Sequence, residues 1–218
     1  MARSPRLFTP GLFYHLYCRG NNREEIFFEE SNYLRFLGNL ERFRKSLSYS
    51  LCGYCLLPNH FHLLLKVGDI HISLIMQKIM TAYSMYVNKK YDRVGHVFQG
   101  RFQSIIVEKE SYLLQVLRYI HLNPVKSGLV TWPEDYRWSS YLHYFAPKEE
   151  DLMLPKLQTE EILEMFSSDL LRQKRLFKEF TLEGAKEEFD PLKKQVRGLL
   201  GGEKFRAKLT WVSKGVRP

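Results

Sequence analysis

The sequence predicts an α+β fold in the order strand, helix, strand, strand, helix, strand, with a further helix behind it. Three observations predict this. Short stretches around residues 13–19, 49–57 and 60–65 alternate or run apolar over strand lengths, while three longer stretches, near 31–45, 73–91 and 111–123, carry apolar residues at helical spacing. The two middle strands are separated only by Pro58-Asn59, a turn signal that makes them antiparallel neighbours. With 218 residues, 44% of them hydrophobic, the chain has room for one domain of ordinary size and an appendage, and it can bury a core without staples.

In the first strand, Phe13 to Arg19, Tyr14, Leu16 and Cys18 face one way and His15, Tyr17 and Arg19 the other. It ends in Arg19-Gly20-Asn21-Asn22-Arg23, a turn composition with an arginine on each side, suited to clamping a phosphate or simply to a polar turn. The first helix follows, with Tyr33, Leu34, Phe36, Leu37, Leu40 and Phe43 facing the core and Ser31 or Asn32 placed to cap it. In the third strand the period of two puts His60 and His62 on one face and Phe61, Leu63 and Leu65 on the other. Two imidazoles side by side on a rigid strand make half of a metal site, or an ordinary pair of surface or core histidines.

In the second helix Leu74, Ile75, Ile79, Met80, Tyr83, Tyr86 and Val87 form the apolar stripe. A loop with two glycines, Arg93 and Arg101, Gln99 and interleaved aromatics follows, a composition that suits unpaired nucleic acid and equally a packed surface loop. Gln103 to Val107 reads as a strand. In the helix from Ser111, Leu113, Val116, Leu117 and Ile120 form the buried side, and Gln115, Tyr119 and Asn123 share another face one turn apart. Pro124 is expected to stop this helix, with Asn123 already unwinding before it.

Cys52-x-x-Cys55 followed by His60-x-His62 suggests a zinc finger, and the spacing rejects it. In a regular strand Cys52 and Cys55 lie on opposite faces, and the gap before His60 is far shorter than the roughly 12 residues that usually separate ligand pairs. Three cysteines suit a reducing compartment, and neither a signal peptide nor a run long enough to span a bilayer is present, so the expectation is a cytoplasmic protein with no membrane partner. Thirty-three Lys and Arg against 24 Asp and Glu give a net charge of +9. The corresponding pI is near 9.4, which points to nucleic acid as the partner class.

Taken together, Leu57-Pro58-Asn59-His60-Phe61-His62, Gln99-Gly100-Arg101-Phe102 and Arg118-Tyr119-Ile120-His121-Leu122-Asn123-Pro124-Val125-Lys126 resemble the HUH single-tyrosine transposases of insertion sequences and their REP-associated relatives. The resemblance covers roughly Pro5 to Tyr141, including Tyr14-His15 and Arg19-Gly20-Asn21-Asn22-Arg23. It implies a ferredoxin-like (RRM-like) βαββαβ antiparallel sheet with an added catalytic helix. It also implies Tyr119 as nucleophile and His60, His62 and Asn123 as ligands of a divalent metal, Mg2+ or Mn2+. Ligand chemistry alone, two imidazoles and a carboxamide, would favour zinc or manganese over magnesium. The implied reaction is attack of the phenol on a single-stranded DNA phosphodiester near a hairpin, leaving a 5′-phosphotyrosine and a free 3′-OH that permits rejoining. Arg19, Asn21, Asn22, Arg23, Arg93, Gln99, Arg101 and Lys126 are the candidates for holding DNA, while the general base stays open among Lys126, Gln115 and water.

The resemblance thins beyond Tyr141, which divides the chain into a catalytic domain, 1–145, and a helical basic region, 146–218, with the charged segment Pro147 to Asp151 at the boundary. Residues 159–166 and 169–180 read as two helices, and from Pro191 onward Glu203 is the sole acidic side chain among many basic ones. A monomer and a homodimer are both compatible with the sequence. Two other readings stand beside the transposase: a non-catalytic nucleic-acid-binding module on the same fold, and a metal-dependent phosphodiesterase that uses water.

Overall fold

The computed structural model describes residues 6–145 and 155–213. The Pro147 to Asp151 boundary segment, and Lys214 and Arg217 of the basic tail, lie outside the described residues. Strands β1 (Phe13–Arg19), β2 (Tyr49–Leu57), β3 (His60–Val67) and β4 (Gln103–Val107) form the antiparallel order β2-β3-β1-β4. Helices α1 (Glu30–Arg44) and α2 (Ile72–Lys90) connect β1 to β2 and β3 to β4, and α3 (Lys109–Lys126) follows β4. The α+β class and the βαββαβ order are those expected from the sequence.

Each face of the sheet has its own core. Tyr14, Leu16, Phe61 and Leu63 point towards α1 and α2 and pack with Phe36, Leu37, Ile79 and Tyr83. Phe13, Leu64, Ile105 and Val107 point the other way, against Leu113, Val116 and Leu117 of α3. The period of two in β1 and β3 thus sorts side chains between a purely structural face and the face that carries α3. Close approach of α3 to β2 depends on Gly53, where a Cβ would lie 2.6 Å from Leu117 Cδ1.

Four expectations require correction. The strand β2 is bulged between Leu51 and Gly53, so Cys52 and Cys55, expected on opposite faces, both pack on the α3 side as free buried thiols. A bulge adds one residue and thereby resets the alternation. The cap of α1 is Glu29, not Ser31 or Asn32; Asn32 serves at the third helical position, where its Oδ1 accepts the Glu29 N–H at 3.2 Å. The helix α3 does not stop at Pro124 but runs through it to Lys126. Within the last turn a proline forfeits one hydrogen bond, while its fixed φ still suits the helix. Asn123 stays in the helix, with its Nδ2 donating to the Tyr119 carbonyl at 3.0 Å.

The fourth concerns the C-terminal region, which is not only helical. It contains α4 (Glu160–Leu163), α5 (Leu170–Glu183), α6 (Pro191–Lys194), a two-residue strand β5 (Leu199–Leu200) and α7 (Glu203–Ser213). The strand β5 pairs with β4 in parallel, making the five-stranded sheet mixed rather than purely antiparallel. Phe177 of α5 stacks on Tyr144 at 4.5 Å beside α3. Arg118 of α3 is buried, hydrogen-bonds the Phe180 carbonyl and pairs with Glu187. Glu161 bridges Lys66 of β3 and Lys109 of α3, each at 2.6 Å.

Candidate active site

Where the ends of β1 and β3 meet α3, a cleft of about 400 Å³ opens. Its position follows from the sheet register, which sets Tyr17 opposite His62 and Arg19 opposite His60. Above these strands, α3 contributes Tyr119 and, one turn later, Asn123. The Tyr119 ring stands edge-on to His62 at 5.6 Å, and the His60 and His62 rings are 5.2 Å apart. The floor therefore presents two imidazoles, a carboxamide and a phenol together.

Hydrogen bonds fix which atoms face the cleft. His60 Nδ1 lies 2.6 Å from Asn59 Oδ1, which can only accept, so Nδ1 carries the proton and Nε2 keeps its lone pair. His62 Nδ1 is engaged with His15 Nε2 at 3.0 Å, leaving Nε2 as its nitrogen free for the cleft. The amide nitrogen of Asn123 is taken by the Tyr119 carbonyl, and the same side chain hydrogen-bonds the His60 ring, which keeps the carboxamide beside both imidazoles. Two imidazole nitrogens and one carboxamide oxygen are a donor set that a divalent ion can use.

The electrostatics agree with that donor set. Burial, and then the Arg19 guanidinium, push the His60 pKa down to about 4, with Asn123 opposing. For His62, burial and then the neighbouring His15 and His60 drive it well below the usual range. Both rings are therefore neutral at pH 7, the form in which imidazole binds a cation. Tyr119 is pushed up to about 12, first by burial and then by the Asp190 carboxylate, with Asn123 opposing. Its phenol is protonated at neutral pH.

The rim is basic and polar. Arg19, Gln99, Arg101 and Gln103 line it together with Cys18, Asn59 and Leu192. Backbone bonds hold the loop after α2 against the end of β1: Gln99 N donates to Arg19 O at 2.9 Å and Asn21 N to Val97 O at 3.0 Å. Asn59 Nδ2 also donates to the Arg23 carbonyl at 3.2 Å, so one side chain ties the His60 ring to the 20–23 loop.

Of the residues singled out in the sequence, His60, His62, Tyr119, Asn123, Arg19, Gln99 and Arg101 converge on this cleft. Asn21, Asn22 and Arg23 form a one-turn 3-10 element beside it, and Arg93 pairs with Glu24 at 3.0 Å. Lys126 is exposed and points its Nζ at the Glu187 carbonyl, 3.1 Å away. Gln115 is not among the lining residues. Asn59, expected only as a turn residue, also lines the cleft, as do Tyr17, Gln103 and Leu192, none of them a candidate from the sequence. Tyr17 was legible as a neighbour of Arg19 on the same strand face, but nothing in the linear pattern brings Leu192 to the site.

Among the described residues, no helix is long and apolar enough to cross a membrane. Comparison with known proteins places the chain in a family. A Haemophilus influenzae protein described as a REP-associated tyrosine transposase is 28% identical over 104 residues, covering 43% of this chain. The chain spans 59% of that relative's length. A solved structure of a REP-associated tyrosine transposase bound to a REP hairpin superposes with a TM-score of 0.58 at 19% identity, covering 67% of this chain and 86% of that one. The fold is thus shared with that protein. The IS200-like transposase model matches residues 9–123, which contain β1, both cleft histidines, Tyr119 and Asn123. The chain belongs to the family of IS200-like transposases.

Proposed function

We propose that the protein is a metal-assisted single-strand DNA endonuclease and strand transferase that acts on hairpin-bearing DNA through Tyr119. One observation carries this reading: the Tyr119 phenol shares a single open cleft with His60, His62 and Asn123, two imidazoles and a carboxamide that together can ligate a cation. The REP-associated name of the relative, and the REP hairpin in the solved structure of similar fold, support a hairpin substrate. No membrane enters this reading, and the working compartment is the cytoplasm.

In the cleavage step the Oη–P bond forms and the P–O3′ bond breaks. The phenolic proton ends on the departing 3′-oxygen, so a phosphodiester is exchanged for a phosphotyrosine with no net change in protons or oxidation state. Reversal by another 3′-OH joins strands without ATP. His60, His62 and Asn123 would hold Mg2+ or Mn2+, which supplies positive charge to offset what develops on the phosphoryl oxygens. Arg19 and Arg101 line the same cleft and would hold backbone phosphates there, and Gln99 and Gln103 have donors and acceptors for unpaired base edges. Lys126, turned towards Glu187, has no part in the cleft.

The test is incubation with labelled single-stranded hairpins from the protein's own genomic neighbourhood, with Mn2+ or with EDTA, read on a denaturing gel. The expected result is a Mn2+-dependent covalent adduct that Tyr119→Phe removes while hairpin binding persists. An adduct that survives Tyr119→Phe refutes the nucleophile. Cleavage without adduct would identify a phosphodiesterase using water, and binding with neither a non-catalytic module.

A further inference from the structure

One histidine beside the cleft has no task in this chemistry. His15 of β1 is fully buried, with its Nε2 3.0 Å from Nδ1 of His62. The two rings stack at 5.1 Å, and Tyr119 lies edge-on to His15 at 5.9 Å. Only one nitrogen of His15 is paired, since Nδ1 has no hydrogen-bond partner among the described residues. A half-satisfied imidazole is a poor choice for filling space between a strand and a helix, where leucine or phenylalanine would pack with no polar atom to desolvate. The contact with His62 is what this side chain supplies.

We propose that His15 is a positioning residue that accepts the Nδ1–H of His62 and so holds the Nε2 lone pair of His62 towards the divalent ion. The proposal rests on the reading of His60, His62 and Asn123 as the metal ligands. Two neutral imidazoles can share one hydrogen bond in two ways. If His15 donates from Nε2, His62 must carry its own proton on Nε2 and aims an N–H at the place a cation would occupy. If His62 donates from Nδ1, its Nε2 is a ligand. Only the second form is compatible with a bound ion, and it needs an acceptor behind His62, which the register of β1 against β3 provides through His15. A ligand imidazole whose other nitrogen is held by such a partner is both better oriented and more basic, and loss of the partner typically weakens metal binding 10–100-fold.

The proposal is tested by Mn2+ binding, followed through the electron paramagnetic resonance of free Mn2+ in the wild type, His15→Phe, His15→Gln and His62→Ala. Imidazole 15N spectra of the wild type with Mg2+ report the tautomer of His62. The expected result is Mn2+ binding weakened about 10–100-fold by His15→Phe and only a few-fold by His15→Gln, whose carboxamide oxygen can still accept. The spectra should show His62 protonated at Nδ1. A purely structural role would lower the melting temperature of both variants with Mn2+ affinity unchanged, and that outcome overturns the proposal. So does equal loss in the Gln and Phe variants, or His62 protonated at Nε2 with metal bound. If the wild type itself binds no Mn2+, the metal reading fails and the proposal with it; binding that only His62→Ala abolishes refutes the role of His15 alone.

Discussion

Acidification should cost this fold stability through histidines that are buried neutral, and His121 isolates the effect because it lies outside the cleft. It sits on the core side of α3, fully buried, with Nε2 2.8 Å from Ser140 Oγ. The rings of Tyr141, Tyr144 and Phe177 surround it at 5.6, 5.4 and 5.9 Å. Burial, and then the neighbouring His143, push its pKa from 6.5 down to about 3. The folded state therefore keeps His121 unprotonated where the unfolded chain already binds a proton. Stability is complete above the unfolded value, falls as the pH drops below it, and stops falling near the folded value. At pH 5 the loss from this one group is about 2 kcal/mol, from RT ln(1 + 10^1.5) with an unfolded pKa of about 6.5. The perturbation is His121→Phe, which suits the aromatic surround and leaves Ser140 Oγ bonded to the Tyr54 backbone N–H at 2.9 Å. Urea unfolding at pH 7 and pH 5 should show the wild type losing about 2 kcal/mol more than the variant over that interval. His15, His60 and His62 contribute equally to both proteins and cancel. Parallel stability curves would refute the account, since His121 would then titrate alike in the folded and unfolded chain.

Two further outcomes test the packing and the rim. Gly53→Ala places a Cβ 2.6 Å from Leu117 Cδ1. Because the end of a leucine can give way only partly in a filled core, destabilisation of about 1–3 kcal/mol is expected in a thermal melt, and an unchanged melting temperature would mean that α3 does not press on β2 there. Arg19→Ala should weaken binding to a single-stranded hairpin and reduce the slope of log affinity against log salt by about 0.7, the share of one phosphate contact. The parallel Lys126→Ala variant should leave that slope unchanged, because its Nζ is turned to the Glu187 carbonyl. Equal slopes for wild type and Arg19→Ala would remove Arg19 from the binding surface.

Much of this architecture was legible in the sequence, because it rests on local periodicity. Strands at 13–19, 49–57 and 103–107 coincide with the observed bounds, and the same-face placement of His60 and His62 needed only the period of a strand. The pairing of β2 with β3 followed from a two-residue turn. The failures occurred where one residue breaks a period or where a distant segment decides. At Cys52 a bulge shifted the phase by one, and phase is what the argument about Cys52 and Cys55 depended on. At Pro124 the helix continued, with its last turn still packed at Leu122 and Asn123.

By itself, then, the sequence determined the α+β class, the order of the elements and the facing of each candidate side chain along its own strand or helix, all properties of chain periods two and 3.6 residues long. Which of those faces meet is a matter of register and packing between segments far apart in the chain. Only the tertiary structure set Tyr17 and Arg19 opposite His62 and His60, put His15 behind His62, brought Leu192 to the cleft and set the Asp190 carboxylate close enough to act on Tyr119. Those contacts arise from long-range burial between β1, β3, α3 and the C-terminal segment, and no local pattern in any one of them specifies the others.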